Sequence, residues 1–249
     1  MIAVVILSAG ESRRMGQPKA LLPFPEGFLY SAAKTIENRP AMQAPGAASS
    51  APTRTTAETR RHHRTDGSTQ VEQEAGPTKS KTFLCHLIEV TRHPRAGILR
   101  VVVGAHAKEI RAAAKLDADE LVVNDKWERG QLSSLQAAIR SLPEGATEGI
   151  FVCLVDHPLI SAEVVRRVIG AFDGAKSKIV IPTYRGRRGH PVIFPSTLYE
   201  ELLAAPEDVG ARAVVRAHEG DVVEVAVEEE GIVLNLNDPE SLARISNLK

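Results

Sequence analysis

The chain has 249 residues, 43% of them hydrophobic, enough to bury a sizeable core in one large domain or two small ones. Its 31 basic and 31 acidic side chains cancel, so no global charge points to nucleic acid or an anionic membrane as a partner. Two cysteines without CxxC or Cys/His spacing suggest neither a disulfide framework nor a metal site, and no apolar run approaches the ~18 residues of a membrane span. A cytoplasmic protein is the default expectation.

Residues 2–7 (IAVVIL) read as a buried strand that runs into a turn of small residues, Ser8-Ala9-Gly10. Arg13, Arg14, Gly16 and Lys19 follow. Small residues let backbone N–H groups approach a ligand, and a cationic loop supplies charge for a polyphosphate. The spacing matches neither the P-loop nor the dinucleotide fingerprint. A tight turn with solvated arginines is the plain alternative. The position of the cluster, beyond the C-terminal end of a strand, favours a ligand cradle.

From about 28 to 81 the sequence is rich in Ala, Thr, Ser, Pro, Gln and Arg and has no sustained apolar period. Such a segment cannot bury enough apolar surface to offset chain entropy and is expected to be a disordered insertion. Composition leaves open a plain linker or a docking arm using Arg60, Arg61, His62, His63 and Arg64.

Beyond it, strands and helices alternate. Helical spacing of Phe83, Leu84, Leu87 and Ile88 is followed by a strand at 98–103 closed by Gly104. A helix over 107–116, a short strand at 120–123 and a helix over 132–142 come next. GIFVCLV, at 149–155, is the most apolar strand and should be central. A helix over 162–172, strands at 178–182 and 192–194, and helices near 197–203 and 209–217 continue the pattern. A strand at 222–227 and a helix over 239–245 end it. This βαβα order predicts an α/β fold with a mostly parallel sheet and helices on both faces, plus an antiparallel pair around 185–191. No repeat or clear linker appears, so a single domain over 1–249, interrupted at about 28–81, is expected.

Several polar residues sit where chemistry could occur. Asp156 directly follows the central strand, on the side of the first loop, where a carboxylate facing a triphosphate suits Mg²⁺; a helix-capping aspartate would look the same. Asn124 leaves a strand end and Gly130 opens a helix whose N-terminus offers N–H donors to an anion. Trp127, the only tryptophan, suits either a loop anchor or a stacking surface. Asp238 followed by Pro239 makes a good helix start. RGRRGHPV, at 185–192, places three arginines and two glycines on a turn.

These segments resemble one family. SAGESRRMGQPK, at 8–19, is similar to the signature loop A-A-G-x-S-x-R-M-G-x-x-K of the molybdopterin nucleotidyltransferases, departing from it at Ser8. Asn124, Trp127, Gly130, Ser134 and Leu135 match the N-x-x-W-x-x-G-x-x-x-S-L pattern of the cytidylyltransferase branch. A strand-terminal Asp156 with Pro158, and the R-G-H-P-V segment, also match. VLNLNDPESL resembles the D-I-D-T-P-E-D motif, with Asn235 and Asn237 at the motif's two aspartates and Ser241 at its last acid. Pro206-Glu207 before Asp208 departs from the family's G-D-x-G-A-R element, which Arg212 otherwise completes. The resemblance covers nearly the whole chain outside the insertion.

What it implies is a three-layer Rossmann-like, GT-A-like fold and transfer of CMP from CTP to the terminal phosphate of molybdopterin, releasing pyrophosphate with Mg²⁺. Leu7, Ser8, Ala9, Gly10, Arg14, Lys19, Asn124 and Ser134 would contact the nucleotide. Arg14, Lys19 and Asp156 would form the catalytic set, and Asp156 with Asn237 would hold the metal. Gly189, His190, Pro191 and Arg212 would face the pterin substrate. CTP is expected because Ala9 stands where guanylyltransferases of the family carry a second glycine. Neither nucleic acid nor a membrane is implied; a client molybdoenzyme or its chaperone is. The alternatives are a guanylyltransferase, a transferase acting on a sugar phosphate or small phosphorylated acid, and a non-catalytic cofactor carrier.

Overall fold

The computed structural model describes residues 1–25 and 81–246. Almost all of the expected insertion lies outside these residues. The chain leaves at Pro25 and resumes at Lys81 in adjacent places: the Phe24 N–H donates to the Lys81 carbonyl at 2.6 Å and the Phe83 N–H to that of Leu22 at 2.9 Å.

Strand β1 (Ile2–Ser8) is buried along its whole length, as its unbroken apolar sequence requires. It lies parallel between β2 (Ala96–Val103) and β4 (Gly149–Leu154), and β3 (Leu121–Val123) pairs in parallel with the far side of β2. On the other side of β4 the sheet turns antiparallel through β7 (Val192–Pro195), which also pairs with β5 (Ile179–Tyr184). β5 forms a hairpin with β6 (Arg187–Arg188), the antiparallel pair expected near 185–191, and runs parallel to β8 (Val222–Ala226). The order is β3-β2-β1-β4-β7-β5-β6, with β8 beside β5.

Helices cover both faces, as the alternation predicted. Alternate residues of β1 serve alternate cores. Ile2, Val4 and Ile6 join α1 (Phe83–Val90) and α4 (Ala162–Gly174), with Phe83, Leu87, Val168 and Phe172 among the buried residues. Ala3, Val5 and Leu7 face α3 (Gln131–Arg140), whose Leu132, Leu135 and Ala138 are buried, together with Leu202 of α5 (Tyr199–Ala204) and Val214 of α6 (Arg212–Ala217). Each of the Val, Leu, Ile and Phe side chains among these contributes roughly 1.5–3 kcal/mol on burial. Two further helices, α2 (Ala107–Ala114) and α7 (Pro239–Ser246), complete the fold. Sequence places the caps: the Thr82 side chain accepts from the Cys85 N–H, and Ser161 from those of Glu163 and Val164. Among the described residues no helix is long and apolar enough to cross a membrane.

Register positions the site. Ser8 is level with Val103, Leu7 with Leu154, and the Val155 N–H donates to the Leu7 carbonyl at 3.1 Å. The loops after β1, β2 and β4 therefore leave one edge side by side, the crevice where open α/β sheets bind ligands.

Candidate active site

The loop after β1 folds back in two short 3₁₀ turns, Arg13–Met15 and Lys19–Leu21. Ser12 and Gly16 adopt left-handed backbone angles, φ 56° and 68°, at the two ends of the first turn. The Ser12 hydroxyl accepts from the Lys19 N–H at 3.1 Å, which fixes where the lysine side chain starts. Its ammonium then reaches across the strand ends: Nζ lies 3.5 Å from Asp156 Oδ2 and donates to Asn237 Oδ1. Both partners are largely shielded, the side chains of Lys19 and Asp156 being 16% and 22% exposed.

The segment before α7 docks on the same carboxylate. The Leu236 N–H donates to the Asp156 carbonyl at 2.8 Å, and Asn235 Nδ2 donates to Asp156 Oδ2 at 3.3 Å. Three stretches more than 70 residues apart in sequence thus meet at one acid. Asp238 is bonded to Ser241, whose N–H donates to its Oδ1 at 2.8 Å. These bonds hold its carboxyl below the usual range, and the nearby charge of Arg14 adds to the effect. It caps α7.

Beside this cluster lies a cleft of about 310 Å³. Leu7, Ser8, Ala9, Gly10, Lys19 and Asp156 form its floor and one wall; Trp127, Gly130 and Ser134 form the other. Sequence reasoning missed several contributors, Pro18, Glu128 and Gln131 among them. Ser12 lines the cleft, as does Ile110 of α2. Gly104 closes β2 where a Cβ would stand 2.4 Å from the Ala9 carbonyl oxygen and 2.6 Å from Trp127 Cγ, so only glycine lets the tryptophan loop approach the first loop. The glycine ending the apolar run at 98–103 was the available signal. Trp127 packs against Gly104, as a loop anchor would, and also lines the cleft.

Two residues expected at the nucleotide stand elsewhere. Asn124 is buried behind the cleft: its Nδ2 donates to Ser133 Oγ at 2.9 Å and Ser134 Oγ at 3.0 Å, and its Oδ1 accepts from the Lys126 N–H at 2.9 Å. It orients Ser134, which does line the cleft. Arg14 is exposed and does not line the cleft, although its charge reaches Asp238.

The residues expected to face the second substrate differ in exposure. Gly189 is buried; its N–H donates to the Pro182 carbonyl at 2.9 Å, and a Cβ on it would lie 2.4 Å from the Ile232 carbonyl oxygen. Pro191 is buried too. The ring of His190 stands 5.2 Å from that of His157, and burial pushes its pKa down to about 4. His157 and Arg212 push it further down while Asp156 opposes them, so His190 lies within the electrostatic reach of the acid cluster. Arg212, at the start of α6, is exposed.

The oxygen donors at the rim, a carboxylate and an amide carbonyl, suit a hard cation such as Mg²⁺ or Mn²⁺. Among the described residues no three His, Cys, Asp or Glu side chains gather as a complete metal cage, so remaining ligands would have to be phosphate oxygens or water. The cysteines stand apart from this chemistry. Both are free, and Cys153 is buried in β4 with its thiol pKa pushed up by burial.

The chain is 30% identical over 122 residues to nicotine blue oxidoreductase of Paenarthrobacter nicotinovorans, covering 47% of this chain and 59% of that one. It is 28% identical over 129 residues to a molybdenum cofactor guanylyltransferase of Cereibacter sphaeroides, covering 51% and 65%. It therefore spans less than two thirds of the length of these curated relatives. Rv0371c of Mycobacterium tuberculosis H37Rv shares 25% identity at a TM-score of 0.65, covering 98% of this chain and 96% of that one. A manganese complex of that protein superposes at 0.63 with 23% identity, covering 100% and 99%. Residues 74–222 match the MobA-like NTP transferase domain, so the chain belongs to that family.

Proposed function

We propose that this protein transfers a nucleotidyl group from a nucleoside triphosphate to the terminal phosphate of molybdopterin, releasing pyrophosphate. One observation carries the reading: the Lys19 ammonium and the Asp156 carboxylate, 137 positions apart, stand 3.5 Å from each other over a cleft floored by Ser8, Ala9 and Gly10. A cation for phosphate oxygens and an acid for a divalent metal are the two groups such a transfer needs at one place.

In this reading the small-residue turn lies against base and ribose while Lys19 takes phosphate oxygens. Asp156 and Asn237 would hold Mg²⁺, which when bound supplies charge neutralisation at the α-phosphate and the leaving pyrophosphate. The acceptor phosphate is already ionised, so the residues have to align it in line rather than deprotonate it. Its site would be bounded by His190 and Arg212, with Gly189 and Pro191 fixing the backbone behind them. Arg14 would fold inward over the triphosphate.

CTP is the preferred donor in this proposal. Ala9 lines the cleft, and its methyl would take up space that a glycine leaves for a purine. The guanylyltransferase name of a relative supports the other base. The test is a screen of the four nucleoside triphosphates with molybdopterin, following pyrophosphate. Release with CTP at least ~10-fold faster than with GTP, a difference of about 1.4 kcal/mol, is expected. Equal rates would remove the CTP preference. Binding of nucleotide without any release would mark a carrier instead.

A further inference from the structure

The atoms around Asp156 have their roles fixed by chemistry. A lysine ammonium only donates, so the Asn237 atom facing Nζ is the carbonyl oxygen. A carboxylate only accepts, so Asn235 presents its NH₂ to Asp156 Oδ2 at 3.3 Å. The oxygens to which the proposed function gives the metal are therefore already gathered around a cation of the protein's own. The charge count follows: Asp156 contributes one negative, Lys19 one positive, and Asn235 and Asn237 none.

We infer that Lys19 is a resident stand-in for the divalent ion, and that this protein admits metal only in company with nucleotide. This rests on the reading of Asp156 and Asn237 as metal donors. A dication approaching the cleft without nucleotide meets a carboxylate already paired with an ammonium, which stands between the two oxygens of Asp156 and Asn237. That pair is largely shielded from water, so solvent screens the repulsion only weakly. Among the described residues no group of three His, Cys, Asp or Glu side chains forms there to outweigh the lysine. A triphosphate changes both terms. It brings its own negative charge and ligand oxygens, and it offers Lys19 a better partner. The backbone of Lys19 is held by Ser12, so a turn of its flexible four-carbon stem would carry the ammonium to phosphate without moving the loop. Asparagine rather than aspartate at 235 and 237 is what keeps the vacant site neutral. Asn235 acts as a positioning residue, since an acid there would set like charges side by side.

The experiment uses the full chain and Mn²⁺ as probe. Electron paramagnetic resonance titrations without nucleotide report metal binding, and Trp127 fluorescence reports CTP binding, since this is the only tryptophan and it walls the cleft. The wild type should bind Mn²⁺ alone weakly, with Lys19→Met and Asn237→Asp each tightening that binding about 10-fold. CTP should bind the wild type even in EDTA, and bind Lys19→Met at least ~10-fold more weakly. Asn237→Asp keeps the lysine, so it carries the test if Lys19→Met fails to fold by circular dichroism. Tight Mn²⁺ binding by the nucleotide-free wild type, or no tightening in either folded variant, overturns the inference. Pyrophosphate release by the wild type, measured in parallel, separates the two readings. Release with tight metal binding sinks only the stand-in role; the expected Mn²⁺ behaviour without release sinks only the transferase.

Discussion

The rim over β1 and β4 and the hairpin around His190 lie at the same edge of one sheet, yet they are built on opposite plans. At the rim, polar groups from three stretches of chain converge on Asp156 by side-chain contacts, beside a cleft. At the hairpin the turn is held through its backbone, Gly189 donating to Pro182 and the His190 N–H to Ile232 at 2.9 Å, while Arg188 pairs with Glu219 and Glu224. One region can trade its internal partners for a ligand; the other cannot without unfolding its turn. Charged side chains that meet beside a cleft mark a binding surface, whereas backbone groups locked to carbonyls mark the frame that holds it.

The sharpest way to break this contrast is Asp156→Ala. It should cut pyrophosphate release by at least ~100-fold, the scale of losing a main electrostatic group, while circular dichroism stays native. Retained activity would end the metal assignment. A pair of glycine variants tests the two plans directly. Gly104→Ala pushes a methyl into the Ala9 carbonyl and Trp127, so CTP affinity by fluorescence should fall at least ~10-fold along with stability. Gly189→Ala meets the Ile232 carbonyl and should lose about 2–3 kcal/mol of stability in urea, with CTP affinity unchanged. The reverse pattern would show the regions misassigned.

Stability against pH sharpens the comparison further. Burial lowers the pKa of His190 to about 4, so between pH 6.5 and 4 the unfolded chain binds the proton and the folded chain does not. Stability is then full above pH 6.5 and falls as the solution is acidified. His190 alone should cost about 2 kcal/mol between pH 7.5 and 5. His86, wholly buried against Phe24 and also lowered to about 4, steepens the wild-type slope. His190→Gln should flatten the urea midpoint against pH but not abolish the slope; an unchanged slope would refute the buried neutral histidine. The smallest effect expected is that of Asn124→Ala. It removes the amide behind Ser134, so CTP affinity should weaken by about 1 kcal/mol with little change in fold. No weakening would mean Ser134 needs no support.

Much of the fold was legible because apolar runs and periodicity are local signals. The strand at 149–155 and helices such as that at 162–172 appear within a few residues of expectation. The start of α6 at Arg212, later than the 209 expected, reflects Gly210 with φ 77°, which ends the preceding turn. The site was legible where chemistry and position coincide: Ala9, Gly10, Lys19 and Asp156 all border the cleft. It was not legible where a residue acts at one remove. Nothing in the text around Asn124 says that its amide points at Ser133 and Ser134 rather than at a ligand. Gly189 likewise reads as a ligand-facing turn until Ile232 is seen against it.

The sequence by itself determined which stretches are strands and helices, and that a small-residue cationic turn and a strand-terminal acid exist. Those properties depend on neighbours a few positions away. Only the tertiary structure decided that Lys19, Asp156 and Asn237 form one cluster, because parallel pairing of β1 with β4 and docking of Leu236 on Asp156 act over more than 70 residues. It also decided which polar groups are left able to exchange partners, since that depends on what covers each side chain in space.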